Sequence, residues 1–268
     1  MLRSASLAVL LAAALLPAAP SAFGRDLPAA RADAPTVVLV HGAFADASSW
    51  NAVAERLRRM GVPVVAVDNP LTSLGDDVAA TRRAIAGAPG KVVLVGHSWG
   101  GTVITEAGND PKVSALVYVA AFAPDVGQSS AQQGEGFPVA PGLQQLQEHD
   151  GFLSLSQQVV AADFAQDLMP KQKREVFAHQ LPLKASALSE VVDTAAWRTR
   201  PSWYVVSRED RMLSPPLQVA TAHRIGAEQR SVGASHVSPL SAPAEVTATI
   251  LEAAGLKPAD RSPGFDGG

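Results

Sequence analysis

The chain of 268 residues is 47% hydrophobic and 18% charged, enough apolar material for a sizeable core and a balance that excludes disordered, collagen-like and coiled-coil chains. Twenty-two Lys and Arg stand against 25 Asp and Glu, a formal net charge of −3, so no basic field exists to hold a phosphate backbone and nucleic acid is not an expected partner. The sequence has no cysteine, which excludes disulfides, thiolate nucleophiles and the commonest structural zinc ligands.

The N-terminus opens with Arg3, an apolar run over residues 5–16, then small residues and prolines, the pattern of an export leader. That run is shorter than the roughly 20 apolar residues a membrane span needs, and Ala22 and Gly24 supply small residues for a cleavage site. Residues 1–24 are therefore expected to be a signal peptide cut after Gly24 or Ala22. The mature chain is expected to be exported, to the periplasm or the medium, without a membrane span.

Four β-branched runs follow, at 36–40, 63–67, 91–95 and 113–119. Their hydrophobicity is continuous rather than alternating, which predicts strands buried on both faces, and each gap has room for one crossover helix. Trp50, Val53, Ala54 and Leu57 fall on one helical face behind candidate caps Ser48 and Ser49, and Leu74, Val78 and Ile85 make a second stripe. The expected core is a parallel βαβ series. After Val119 the pattern stops, and residues 128–197 read as a helical cap inserted between core segments 36–127 and 198–256. A strand signal returns at 203–206, Ser214-Pro215 starts a helix, and a weaker strand covers 229–232. Val246, Ile250, Leu251 and Ala254 mark a last helix ended by Gly255, and residues 257–268 are expected to form a flexible tail.

The chemistry starts directly after the third run, where Gly96-His97-Ser98-Trp99-Gly100 leads from a strand into a helix-competent stretch. This is G-x-S-x-G in the context that forces a sharp turn and presents a serine hydroxyl at the carboxyl end of a sheet. A hydroxyl is a poor nucleophile until a base takes its proton, so Ser98 calls for a histidine downstream and an acid to orient it. Among six histidines, His236 alone lies in a loop after the last strand candidate. His149, His179 and His223 are expected to be surface or structural residues, and His97, beside the nucleophile, to point away from it. The acid should follow a strand as well: Asp210, after 203–206, is preferred, with Asp125, after 113–119, as the competitor. Ser98, Asp210 and His236 then follow one another in Ser, Asp, His order. No His, Asp or Glu cluster has metal-ligand spacing, and neither a metal nor another cofactor is expected.

The strings HGAFADASSW, GHSWGG, SREDRMLSP and ASHVSPLSAP make the chain resemble an α/β-hydrolase, close to small bacterial esterase-like members related to plant methylesterases and hydroxynitrile lyases. The resemblance covers about residues 36–256 and implies the α/β-hydrolase fold, a mostly parallel doubly wound sheet with a helical cap. It also implies an oxyanion hole from the amides of Ala43 and Trp99, with His41 structural. Phe44, Trp99 and Phe122 would crowd one pocket if their loops converge, which favours an apolar or aromatic substrate. The expected activity is serine-dependent cleavage of a carboxylic ester. Lactonase, amidase or C–C hydrolase chemistry on the same residues, or a non-catalytic binding module, are the alternatives. Lyase chemistry is disfavoured, because Val237 stands where the lyases carry a lysine after the histidine.

Overall fold

Each β-branched run becomes a strand, and each gap a helix: β1 (Thr36–Val40), α1 (Asn51–Arg59), β2 (Val64–Val67), α2 (Leu74–Gly87), β3 (Val92–His97), α3 (Trp99–Ala107) and β4 (Val113–Val119). The computed structural model describes residues 34–256, so the expected leader and tail lie outside the described residues. After the cap come β8 (Ser202–Ser207), α7 (Pro215–Arg224), β9 (Glu228–Val232), α8 (Ser238–Ser241) and α9 (Pro243–Ala253), the cap itself supplying the elements numbered between. The core strands form one six-stranded sheet in the order β2-β1-β3-β4-β8-β9, and every neighbouring pair is parallel. The chain winds outward from β1 to β2 and then returns to β3. The order therefore reverses between β1 and β3, and a crevice opens at their carboxyl ends, where sheets of this kind hold ligands.

Two apolar layers cover the sheet. Trp50, Val53, Leu57, Val246 and Ile250, from α1 with its preceding turn and from α9, close one face, while Val78, Ile85, Val103 and Ile104, from α2 and α3, close the other. Strands β1 and β3 are buried throughout, as continuous hydrophobicity requires. The second run departs from that expectation: β2 is an edge strand, and Val65 is 39% exposed. Ser48 and Ser49 do not cap α1 directly. A 3₁₀ turn (Ala47–Trp50) precedes that helix, and Asp46 caps the turn by accepting the Ser48 N–H at 2.9 Å. Ser214 and Pro215 do open α7, although the Ser214 side chain makes no capping bond.

The cap contains short helices, α4 (Ser130–Gln133), α5 (Gln157–Val159) and α6 (Pro170–Ala178), with a single π-helical turn (Val160–Phe164) after α5. It also holds what the helical expectation lacked, a three-stranded antiparallel sheet of β5 (Gln147–His149), β6 (Phe152–Ser154) and β7 (Leu183–Lys184). The hairpin between β5 and β6 turns on Asp150-Gly151, with φ of +50° and +76°. Two consecutive left-handed residues are what a tight two-residue hairpin demands, and Asp-Gly is a favoured pair there.

Candidate active site

Ser98 sits between β3 and α3 with φ 52° and ψ −121°, a backbone strained for a non-glycine residue. Its neighbours make the turn possible. A Cβ on Gly96 would lie 2.4 Å from the Gly100 carbonyl oxygen, and one on Gly100 would lie 2.5 Å from that of Val40. Only hydrogen fits at either position, so α3 closes directly against the ends of β1 and β3. The Ser98 carbonyl accepts the Gly101 and Phe122 N–H groups at 2.9 and 3.2 Å, which fixes the turn on both sides.

The structure brings Ser98, His236 and Asp210 into one hydrogen-bonded chain. Ser98 Oγ lies 2.9 Å from His236 Nε2, and His236 Nδ1 lies 2.7 Å from Asp210 Oδ2. A carboxylate only accepts, so the imidazole proton is on Nδ1 and Nε2 is free to accept from the serine hydroxyl. Asp210 is held from the other side as well: Oδ1 accepts the Met212 and Leu213 N–H groups at 2.7 and 2.9 Å, and Oδ2 accepts Gln218 Nε2–H at 2.7 Å. Gln218, on the buried face of α7, was not singled out from sequence. Its other contacts, from Ser207 N–H and to the Leu213 carbonyl, lock the amide in place. The competing Asp125 is elsewhere engaged. Both its oxygens face the Arg198 guanidinium at 2.7 and 2.8 Å, and that hydrogen-bonded partner holds its carboxyl below the usual range.

The two buried histidines beside the site act on its backbone. His41 Nδ1–H donates to the Gly42 carbonyl at 2.9 Å while its Nε2 accepts the Asn69 N–H at 3.0 Å. Burial lowers its pKa, so the ring stays neutral and keeps this tautomer. The N–H of Ala43 belongs to the same planar peptide as the Gly42 carbonyl and points the opposite way, so His41 aims it. His97 reaches away from Ser98, and its Nε2–H donates to the His236 carbonyl at 2.9 Å. Burial, and the His236 ring 4.8 Å away, push its pKa well below the usual histidine value. The remaining histidines lie outward: His149 is exposed on the cap hairpin, His179 bonds Asp46 at 3.0 Å, and His223 is exposed on α7.

Ser98 and His236 open into a cavity of about 460 Å³, and Ala43, Trp99, Phe44 and Phe122 line it as well. Its other walls are mostly apolar and come from the cap and the Asp210 loop, among them Phe137, Leu143, Leu146 and Met212. Phe44, at φ +60°, meets Phe164 of the π-helical turn edge to face at 6.5 Å between centroids, and Phe164 lies 5.4 Å from His236. No sequence signal marked Phe164, or its neighbours Asp163, Gln166 and Asp167. Asp163 pairs with Arg211 at 2.7 Å, Gln166 Nε2–H donates to the Glu209 carbonyl at 2.6 Å, and Asp167 accepts the Ser235 N–H at 2.8 Å. The cap thereby grips the loops on either side of Asp210 and His236. Among the described residues, no three His, Asp or Glu side chains gather as metal ligands, and no helix is long and apolar enough to cross a membrane.

Comparison with known proteins agrees with this architecture. The sequence is 27% identical over 213 residues to "Alpha/beta hydrolase nvfD" of Aspergillus novofumigatus (strain IBT 16806), covering 70% of this chain and 83% of that protein. It is 25% identical over 244 residues to "Probable hydrolase R7" of Phoma sp. (strain ATCC 20986 / MF5453), covering 83% of this chain and 99% of that one. Among solved structures, polyneuridine aldehyde esterase superposes with a TM-score of 0.71 at 22% identity, over 82% of this chain and 98% of that one, a likeness of fold. A sequence model of the alpha/beta hydrolase family matches residues 37–249, nearly the whole folded region, and the chain belongs to that family.

Proposed function

We propose that the chain is a serine hydrolase that cleaves carboxylic esters of small apolar or aromatic substrates through an acyl-enzyme on Ser98. His236 takes the Ser98 proton as Oγ attacks the ester carbonyl, and Asp210 stabilises the imidazolium and keeps its orientation. The amides of Ala43 and Trp99 receive the oxyanion, a contribution of about 2.7 to 4 kcal/mol per donor in comparable sites. His236 then returns the proton to the leaving alcohol, and water, activated by the same imidazole, releases the acid. The observation that carries the reading is the unbroken chain from Ser98 Oγ through His236 to the buried Asp210, opening on an apolar cavity. The apolar lining favours an uncharged acyl group, since a charge desolvated there would have no partner.

The test is initial-rate kinetics on p-nitrophenyl esters from acetate to decanoate, with wild type and Ser98→Ala side by side. Turnover by the wild type with an optimum chain length, and its loss in Ser98→Ala, is expected. Equal turnover by both proteins would overturn the mechanism.

A further inference from the structure

Asp77, on α2, takes no part in the chain from Ser98 to Asp210, yet it is completely buried. Each of its oxygens accepts one N–H: Oδ2 from the Trp99 indole Nε1 and Oδ1 from the Leu71 backbone, both at 2.8 Å. Trp99 lines the cavity that holds Ser98. Leu71 is held at φ +59°, and its carbonyl accepts the N–H of Lys184, in cap strand β7, at 2.8 Å. One carboxylate thus joins the ring of a cavity-lining residue to a loop that receives a hydrogen bond from cap strand β7.

A buried carboxylate is a costly way to hold an indole. The charges that reach Asp77 are those of Asp76, on the same helix, and Glu190, from the cap, and both share its sign. Glu190 itself accepts the Leu74 N–H at 2.8 Å, so it stands close to the start of α2. Burial pushes the Asp77 pKa up to about 6, against the two N–H bonds that lower it. The requirement for two acceptors accounts for the residue type. An amide side chain has one acceptor oxygen, and its NH₂ would face one of the two N–H donors.

We propose that Asp77 is a positioning residue that sets the acyl selectivity of the Ser98 cavity by fixing the Trp99 indole, the Leu71 N–H satisfying its second oxygen. This rests on reading that cavity as the acyl site of an esterase. The Trp99 backbone belongs to the turn after Ser98 and to α3, so release of the ring changes the shape of the cavity more than the position of the amide. Protonation converts one accepting oxygen into a hydroxyl, a weaker acceptor, and loosens one of the two N–H contacts. Asp77→Asn imposes a similar loss at every pH.

The experiment measures kcat and KM on p-nitrophenyl acetate and octanoate for wild type, Asp77→Asn, Trp99→Phe and the double variant. Asp77→Asn is expected to shift the octanoate-to-acetate ratio of kcat/KM about fivefold or more, the scale of one hydrogen bond, with most of the change in KM. On the Trp99→Phe background the same substitution is expected to move the ratio by less than about twofold, because its coupling partner is gone. An unchanged ratio in Asp77→Asn, or an equal shift on both backgrounds, overturns the proposal. A second measurement does not need ester turnover. The Trp99 Nε1–H resonance of the wild type, identified by its absence in Trp99→Phe, is expected to lie at a different shift in Asp77→Asn, because its acceptor oxygen is altered. A resonance left unmoved by Asp77→Asn overturns the proposal whether or not esters are substrates, whereas a resonance that does move, in a protein that cleaves no ester, refutes the esterase reading alone.

Discussion

Asp210 receives three N–H donors besides the His236 imidazole, two on Oδ1 and one on Oδ2, so both of its oxygens are held. An asparagine there keeps one acceptor oxygen for the Met212 and Leu213 amides. Its NH₂ then faces both Gln218 Nε2–H and the imidazole, and the imidazole must present an acceptor at Nδ1 and a proton at Nε2. A protonated Nε2 cannot take the Ser98 proton. Asp210→Asn is accordingly expected to lower kcat by about 10⁴ on the precedent of serine proteases, with a folded protein by circular dichroism; a loss below about tenfold would show that the tautomer is set elsewhere. Ser98 and His236 were legible because glycine spacing and position after a strand mark them locally. The choice between Asp210 and Asp125 turns on which of them meets His236: Asp210 does at 2.7 Å while Asp125 faces Arg198, and only the folded chain makes either pairing. Gln218 was illegible for the same reason, since one amide on a helix gives no sign of facing a buried carboxylate.

At the scale of elements, the π-helical turn and the residues after it tie the cap to the loops that carry the acid and the histidine. Their side chains reach the Asp210 loop through Asp163 and Gln166, and the His236 loop through Asp167. Removing the Asp167 carboxylate leaves the Ser235 amide, one residue before His236, without its acceptor. Asp167→Ala is expected to lower kcat about tenfold with little change in KM, the signature of a mispositioned base rather than a lost substrate contact. Steady-state kinetics on the preferred ester, with Asp167→Asn as the variant that restores an acceptor, checks this; equal losses in both would indicate a general packing defect. The Asp150-Gly151 pair is a favoured hairpin turn, yet the three-residue strands on either side of it are too short to show the β-branched run that signals a buried strand. The π-helical turn has no periodic mark at all, because five residues cannot establish a period.

Across the whole molecule, parallel strands with covering helices were legible from continuous hydrophobicity, and the exposed edge of β2 was not, since strand order is a property of the closed sheet. Burial of ionisable groups also gives the molecule an acid response with opposing parts. His41 and His97 have pKa values below the ordinary histidine value, so the unfolded chain binds protons that the folded chain refuses as pH falls below about 6.5. Their contribution to stability is therefore lost on acidification. Asp77, raised from 3.8 to about 6, has the opposite sign: the folded state binds its proton first, so stability is gained as pH falls through about 6. Asp77→Asn removes that gain. Urea unfolding at pH 7.5 and pH 5 is expected to show a larger acid loss of stability in Asp77→Asn than in wild type; equal losses would mean that Asp77 does not exchange its proton on folding.

The cap leaves the sheet after β4 and rejoins it at β8, and those strands are direct neighbours. An insertion whose two ends emerge side by side can be lengthened, shortened or exchanged without moving a core strand, which makes substrate range a property that can diverge independently of the bond-breaking machinery. The three side chains at 163, 166 and 167 limit that independence. A cap transplanted from another enzyme of this fold has to supply its own anchors for the acid and histidine loops, and where it does not, the chimera would bind new substrates and turn them over slowly.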